Sequence, residues 1–600
     1  MSYKRLLKPG SLLFIPMLIA LAAIASACGG DDATPMPEPT AMMEAATDTP
    51  QPTPTPRPIE PESEAAIATA APQLTPTPGV DELPGKQGGV LTMMIPYGPF
   101  GAGFDGYLSG WNPAYMNSPM YNELVHYNPE TADPLDIRGD IADTWELSED
   151  GLSYTFYLKD AWWHDDTPIT AADIKYSLDD MTNPDEPRPW VGLIGPYYDN
   201  SEVINDKTVK VNMQYQAAAF FPYLGLDFMQ MRPKHYLEGG ADLATIENQL
   251  GSGPFKLKNY EPDVDIEYER NSNYWKPGLP YLDGIRYILL GSAGTVTAAH
   301  KTGQILMSAT MVTHMTKEEA LQLGSQAESE GIGTVLWAGP ASHVNLHPNP
   351  NVEPFTDSRV RRAMSLAIHR QPLVEILTRG KGTLGYPFAP NYWFSLTEDE
   401  VAQVPGFREL NGEKHPDDIA EAQRLMEAAG YADGFQTEIM AGGGLDSLEA
   451  GQVVADQLRR FLNIDITLDV QEGATLDTRR RTGDFKMLSQ SSGLLVIDPE
   501  DMFGRVYRVS GPGNYTKWED SRIEDLFQQQ TRISDRDERR VLALQAADIL
   551  LEEAYTIGMY FVIRPMFLSS IVQNFNISPT AYTQNYKWEH IWCDPTCSDS

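Results

Sequence analysis

Apolar and polar residues alternate over residues 144–147 and again over 153–158, on either side of the polar turn Ser148-Glu149-Asp150-Gly151. A period of two around a Gly turn predicts a β-hairpin with one buried face. Further on, Thr170 stands three residues ahead of Asp173, and an apolar-periodic run follows. Its hydroxyl and that carboxylate can satisfy the open amides of a helix start, so a helix is predicted from Ala171. Residues 87–96 read as a strand led by Gly88-Gly89 and ended by Pro96. Asp357 is placed to cap a helix whose apolar positions Val360, Ala363, Met364, Ala367 and Ile368 recur at helical spacing. An amphipathic helix is predicted over 417–430 and is closed by Gly430. Residues 457–468 read as helix into strand, and 535–560 as a helix followed by an apolar strand.

The N-terminus has a different texture. Lys4, Arg5 and Lys8 precede an apolar run over 12–27, and Cys28 follows. A basic start, a short apolar run and small residues before a cleavage point make 1–27 a signal peptide. Ala25-Ser26-Ala27-Cys28 resembles a lipobox, in which Cys28 is lipidated and anchors the chain to the bacterial cell membrane. The other reading is an ordinary secretory signal with an incidental Cys28. Residues 28–85 are dominated by Pro, Thr, Ala, Glu and Met, a composition that buries no core and reads as a disordered tether.

From about residue 86 the chain is long enough for two or three lobes. The 600 residues carry 45 basic and 83 acidic side chains, a net charge of −38. That balance argues against nucleic acid as a partner. Besides Cys28 the cysteines are Cys593 and Cys597, spaced for a small disulfide in an oxidising compartment. Two thiols with His590 nearby do not make a zinc set. His164-Asp165-Asp166 reads as a turn between strand and helix. His343 and His347 are four apart, but Pro348 and Pro350 break any helix that would align them. There is no phosphate-binding Gly loop with its Lys and no Gly-x-Ser-x-Gly elbow, so an enzyme is not expected and no metal or cofactor is implied.

Three long blocks carry a resemblance. The first runs from Asp140 to Leu178. The second joins Gly251-Ser252-Gly253-Pro254-Phe255 to Tyr274-Trp275 and Tyr281-Leu282-Asp283-Gly284-Ile285. The third is Pro354-Phe355-Thr356-Asp357 with Arg359-Val360-Arg361 and Ala367-Ile368-His369-Arg370. In order and spacing they are similar to the extracytoplasmic solute-binding proteins of ABC importers, in the oligopeptide/dipeptide/nickel-binding family. Asp166 stands where that family usually has Gly, and His369 where it has Asp. The resemblance implies an α/β fold: a two-lobed, type II periplasmic-binding-protein-like clamshell with an inserted subdomain. It places lobe I at 86–118, 201–337 and 559–600, the insert at 119–200 and lobe II at 338–558. The implied function is a monomeric solute-binding lipoprotein that captures an oligopeptide or similar solute and delivers it to an ABC permease. An oligosaccharide or other uncharged ligand, or ligand sensing without transport, are the alternatives.

The same resemblance directs attention to a loop. Peptide-binding members hold the ligand's α-amine with an acid three residues before an Asp-Pro pair. Here the pair is Asp498-Pro499, and counting back three reaches Leu495; no acid lies between Asp484 and Asp498. Asp498 is the remaining candidate, with a turn before Pro499 as its other role. Aromatic and amide candidates for the cleft are Tyr97, Phe100, Trp111, Asn112, Asn345, Tyr392 and Trp393.

Overall fold

The structure is a computed structural model and describes residues 85–98, 103–108, 112–131, 133–186, 188–443 and 445–597. Cys28, Phe100 and Trp111, with the signal peptide and nearly all of the tether, lie outside the described residues. No described helix is long and apolar enough to cross a membrane.

The first strand, β1 (Val90–Ile95), alternates into a closed core on both faces. It starts after Gly89, whose φ of 87° suits glycine. A Cβ there would come within 2.6 Å of the Cys597 carbonyl oxygen, so glycine lets the C-terminal segment lie against the start of β1. Cys593 and Cys597 are joined by a disulfide.

The insert follows. The hairpin forms from β2 (Ala142–Leu147) and β3 (Ser153–Leu158). Helix α1 (Ala171–Met181) begins at Thr170 with a capping box to Asp173. Asp166, in the turn before it, has a φ of 65°. Asp is among the few non-glycine residues that tolerate this left-handed conformation, which explains how it replaces Gly there. Strands β4 (Tyr198–Asn205) and β5 (Thr208–Met213) complete an antiparallel sheet in the order β2-β3-β5-β4. The expected boundary at residue 200 therefore cuts through β4 and is corrected. The pairing of β5 with β3 carries the insert through Met213, and its core of Phe156, Trp163, Ile174, Val209 and Val211 takes in Phe220 and Met231 as well.

The remaining strands are β6 (Phe255–Glu261), β7 (Asp265–Arg270), β8 (Gly284–Leu289), β9 (Met307–Ser308), β10 (Gly333–Pro348), β11 (Gly382–Leu384), β12 (Gln436–Gly442), β13 (Asp465–Gln471), β14 (Met487–Gly493) and β15 (Ile557–Ser569). Together with β1 they form one sheet in the order β13-β12-β14-β10-β15-β9-β1-β8-β7-β6, with β11 beside β15. Two strands are far longer than the rest: β10 has 16 residues and β15 has 13. They pair antiparallel along almost their whole length and run from one half of the sheet to the other. Their register breaks between Ala338 and Ser342, and shifts again between Val344 and Asn345. Pro340 lies in the first break, where its missing N–H removes no ladder bond. The two lobes are joined across this pair.

Lobe I buries Leu91, Met93, Phe255, Tyr268, Ile285 and Tyr287 against Trp588 and Cys593 of the returning C-terminus. Lobe II buries Val344, Leu346, Ile439 and Met487 under helices α2 (Ser358–Ala367), α3 (Pro416–Ala428) and α4 (Leu445–Leu462). Asp357 caps α2 through a bond from the Arg359 N–H. Helix α5 (Gly473–Thr482) precedes β14, and α6 (Arg536–Glu553) precedes β15.

Candidate functional site

The loop that leaves β14 is where lobe II meets the rest of the molecule. The Leu494 N–H donates to the Ala341 carbonyl at 3.1 Å, which ties the loop to the register break in β10. Leu495 and Val496 then turn outward into the core of the insert, beside Tyr223 and Leu226. The Leu495 carbonyl accepts a bond from Thr580 Oγ1 at 2.9 Å, so the C-terminal segment of lobe I holds the loop as well. Other bonds cross the same boundary. The Ala218 N–H donates to the Thr531 carbonyl at 2.9 Å, and Gln216 Nε2 to Ser534 Oγ at 3.2 Å. Hydrogen bonds thus join lobe II both to the insert and to the C-terminal segment of lobe I.

Every carboxylate of this loop and the turn of helix after it is committed. Asp498 caps the helical turn Pro499–Met502 by accepting the Glu500 N–H at 2.9 Å. Its two oxygens are also taken by Arg539, with Nη1 at 2.8 Å from Oδ2 and Nη2 bonded to Oδ1. Glu500 accepts from Tyr197 Oη across the junction, from Gln530 Nε2, and from Thr531 Oγ1 at 2.6 Å. Burial pushes its carboxyl above the usual range although these bonds oppose the shift. Asp501 holds Arg505 at 2.5 and 3.0 Å and accepts the Leu495 N–H at 3.0 Å. Two expected ligand residues are therefore corrected. Leu495 is a core residue of the lobe junction, 4 % exposed, with both backbone groups in use. Asp498 is a helix cap held in a bidentate ion pair with Arg539, so its charge is already matched within lobe II.

The aromatic candidates divide. Tyr392 Oη donates to the Pro340 carbonyl at 3.2 Å, at the register break. Trp393 Nε1 donates to the Ile497 carbonyl at 3.1 Å, and the guanidinium of Arg539 lies over its ring at 5.4 Å. Both brace the loop from behind. Tyr97 meets His314 edge-to-face with ring centres 5.3 Å apart, and its carbonyl accepts from Tyr115 Oη. Asn112 opens the short helix Asn112–Asn117, and its side chain is outside the described residues.

Asn345 is on the inner part of β10, fully buried. Neither Oδ1 nor Nδ2 has a hydrogen-bond partner among the described residues. It has His343 two residues before and His347 two residues after, so the three share one face of the strand. The opposite face presents Val344 and Leu346 to the lobe II core. Burial lowers His343 to about 3 and His347 to about 4, which makes both rings neutral at physiological pH.

Glu123, His126 and Asp140 bring potential metal-ligand atoms within 4.8 Å of one another. The cations in that place are lysine ammonium groups. Lys587 bonds to Glu123 and lies 3.4 Å from Asp140. Lys276 lies 2.7 Å from both Asp140 and Glu589. His126 Nδ1 accepts from Asn585 Nδ2 at 2.8 Å, and burial holds its pKa well below the ordinary value. The cluster is a buried ion network that pins the C-terminal segment to the insert. Sequence reasoning missed it because the partners Glu123 and Lys587 are 464 residues apart.

Comparison with known proteins agrees with this architecture. The family model described as bacterial extracellular solute-binding proteins, family 5, matches residues 136–514. A heme-binding protein A of Haemophilus influenzae is 25% identical over 503 residues, 78% of this chain and 86% of that one. A di/tripeptide-binding protein of Pseudomonas aeruginosa is 24% identical over 529 residues, 81% of this chain and 92% of that one. A periplasmic binding protein from Helicobacter pylori, solved with the peptide STSA, superposes with a TM-score of 0.68 at 21% identity and covers 85% of this chain and 98% of its own.

Proposed function

The chain belongs to the bacterial extracellular solute-binding proteins of family 5, and from that premise we propose that it captures an oligopeptide or similar solute between its lobes and delivers it to an ABC permease. The family is one of solute-binding proteins that work outside the cytoplasm. The observation that carries the reading is the crossing of β10 and β15 between lobes beside the loop 494–498, which the other lobe grips through Thr580. Such a pair of strands is where a clamshell bends, and the loop is what a captured solute would meet on closure. Peptide is placed first because the relatives include a di/tripeptide-binding protein and a neighbour solved with a peptide.

One observation favours a second reading, an uncharged ligand. Asp498, Glu500 and Asp501 are all committed to partners within the protein, which disfavours any of them as the partner of a ligand amine. A buried cation without such a partner is costly. The rest of the proposal concerns location: Cys28 as the lipidated anchor on the outer side of the cell membrane, with a monomeric body reaching a permease through the tether. Native mass spectrometry of the purified chain tests the ligand class. A heterogeneous envelope of co-purified peptides supports the first reading, and one discrete saccharide mass overturns it in favour of the second.

A further inference from the structure

Among the described residues, the face of β10 that carries His343, Asn345 and His347 concentrates unmet hydrogen-bonding capacity. Asn345 Oδ1 and Nδ2, both ring nitrogens of His343, and His347 Nε2 lack partners among the described residues, although all three side chains are buried. Buried polar groups are nearly always paired, so a run of orphans on alternate residues calls for an explanation. Packing accounts for part of the row, since the His343 ring stacks on Phe561 with centres 4.0 Å apart and His347 Nδ1 lies 3.4 Å from Thr556 Oγ1, but among the described residues nothing meets the Asn345 amide. The same strand satisfies its opposite face with Val344 and Leu346 alone.

The surroundings indicate what could satisfy them. Gln490 of β14 is the cross-strand partner of Asn345, so its side chain lies on the same face. Arg480 of α5 lies 3.5 Å from Gln490 Oε1, its guanidinium is over the Tyr515 ring at 5.6 Å, and its own Nε is unpaired. Tyr515 in turn meets His347 edge-to-face at 5.5 Å. Gln490, Arg480 and Tyr515 are each only partly buried, and through the Gln490 pairing and the Tyr515 ring contact they connect the buried Asn345 and His347 to the surface. The row starts at His343, opposite Ser492, one residue before Gly493 opens the loop that meets the other lobe. Charge is balanced here. Arg480 is paired with Asp477, Arg479 with Asp469, and the two histidines are neutral.

We propose that this face of lobe II is a subsite for a neutral group that both donates and accepts hydrogen bonds, a carboxamide or a hydroxyl cluster on the solute, with Asn345 as its specificity-determining residue and Gln490, Arg480 and Tyr515 as its rim. The proposal rests on the reading of the chain as a solute receptor and names the chemistry that one wall selects. The Arg480 guanidinium beside Gln490 is already paired with Asp477, and an apolar group would leave the orphans unmet.

The test uses the full chain, freed of co-purified solute, and tripeptide mixtures with Gln, Glu or Leu at each position in an alanine background. The best Gln peptide is expected to bind about tenfold or more tightly than its Glu and Leu counterparts, because a wrong partner leaves a buried polar group unpaired. In Asn345→Leu and in His347→Leu that preference is expected to shrink to within about twofold, a loss of the same unpaired-group penalty. A readout that needs no ligand accompanies it. Ligand-free Asn345→Leu is expected to melt at or above the wild-type temperature, since replacing an unsatisfied buried amide by an apolar group of similar size removes a cost. Binding of tripeptides by the wild type without any preference for Gln overturns the subsite and leaves the receptor reading standing. Failure to bind any tripeptide, with Asn345→Leu melting at or above wild type, overturns the peptide reading and supports the neutral subsite. A fall in the melting temperature of Asn345→Leu shows a structural amide and overturns the proposal.

Discussion

The Lys317 ammonium of lobe I lies 2.7 Å from the carboxylate of Asp446, the second residue of α4 in lobe II. Arg564, on β15 beyond the register break, holds the other oxygen of Asp446 at 2.6 Å. Burial raises the Asp446 pKa, but the two cations outweigh it and keep the carboxyl below its ordinary range. This is a latch across the lobes that shares no residue with the bonds of Thr580 and Ala218.

Asp446→Asn is therefore expected to weaken solute binding more than it weakens folding of either lobe. A half-buried pair of this kind is worth about 1–2 kcal/mol, so affinity should fall by a factor of roughly 5–30. Calorimetric titration of the wild type and the variant checks this. The wild-type affinity should also fall with added salt more steeply than that of the variant. The Asp446 pKa is depressed in the folded protein, so its contribution is present above the ordinary Asp pKa and is lost on acidification through the lower folded value.

Arg539→Met is expected to destabilise lobe II strongly. It leaves Asp498 buried and charged without its bidentate partner, and breaking such a pair costs about 3–5 kcal/mol. Adding Asp498→Asn should recover much of the loss, because the remaining group is neutral. Urea unfolding of the two variants checks both outcomes, and equal loss in single and double variants would contradict the role assigned to the pair.

The contribution of Asp227 to stability is expected to fall as pH rises from about 4 to about 7, against the buried histidines, whose depressed pKa values favour the folded state as pH rises. Burial pushes the Asp227 carboxyl up to about 7, against the pull of Lys587 and of the Tyr586 and Asn585 amides. A folded pKa above the unfolded one contributes stability that is complete below the unfolded value and lost as pH climbs through the folded value. Asp227→Asn cannot titrate, so the melting temperature of the wild type relative to this variant should fall as pH rises across this window. Melting curves at unit pH steps measure the difference.

Leu495→Asp is expected to lower the melting temperature and to give no new affinity for free-amine peptides. Leu495 is packed against the core of the insert and its backbone is already bonded on both sides. A carboxylate there would be buried, and the Arg505 guanidinium nearby is already held by Asp501. A gain in affinity for free-amine tripeptides over N-acetylated ones would contradict this placement.

Local patterns were legible where the signal was local. The turn Ser148–Gly151 and its two alternating runs became β2 and β3, and Thr170 with Asp173 became the capping box of α1. Asp357 capped α2, and residues 416–428 formed the amphipathic α3. The helix read from residue 457 begins at Leu445, because its first turns carry Gly451 and polar residues that blur the apolar period. The insert was cut short at 200 because β4 and β5 return to β3 from across α1, and pairing at that distance leaves no mark in the pattern.

The site was less legible, for a physical reason. The missing acid at Leu495 was visible in the residues alone, but the fate of Asp498 was not. That fate depends on Arg539, 41 residues away. Likewise Asn345 was readable as a polar residue on a strand. Only the fold shows that its amide is buried and unpaired between His343 and His347.

Small-angle X-ray scattering of the full chain, before and after addition of the solute released from it, tests the central claim most directly. The account expects the solute to shrink the radius of gyration of the wild type, as the lobes close about β10 and β15. Asp446→Asn should need more solute for the same change. A scattering profile that is unchanged at saturating solute would contradict capture between closing lobes.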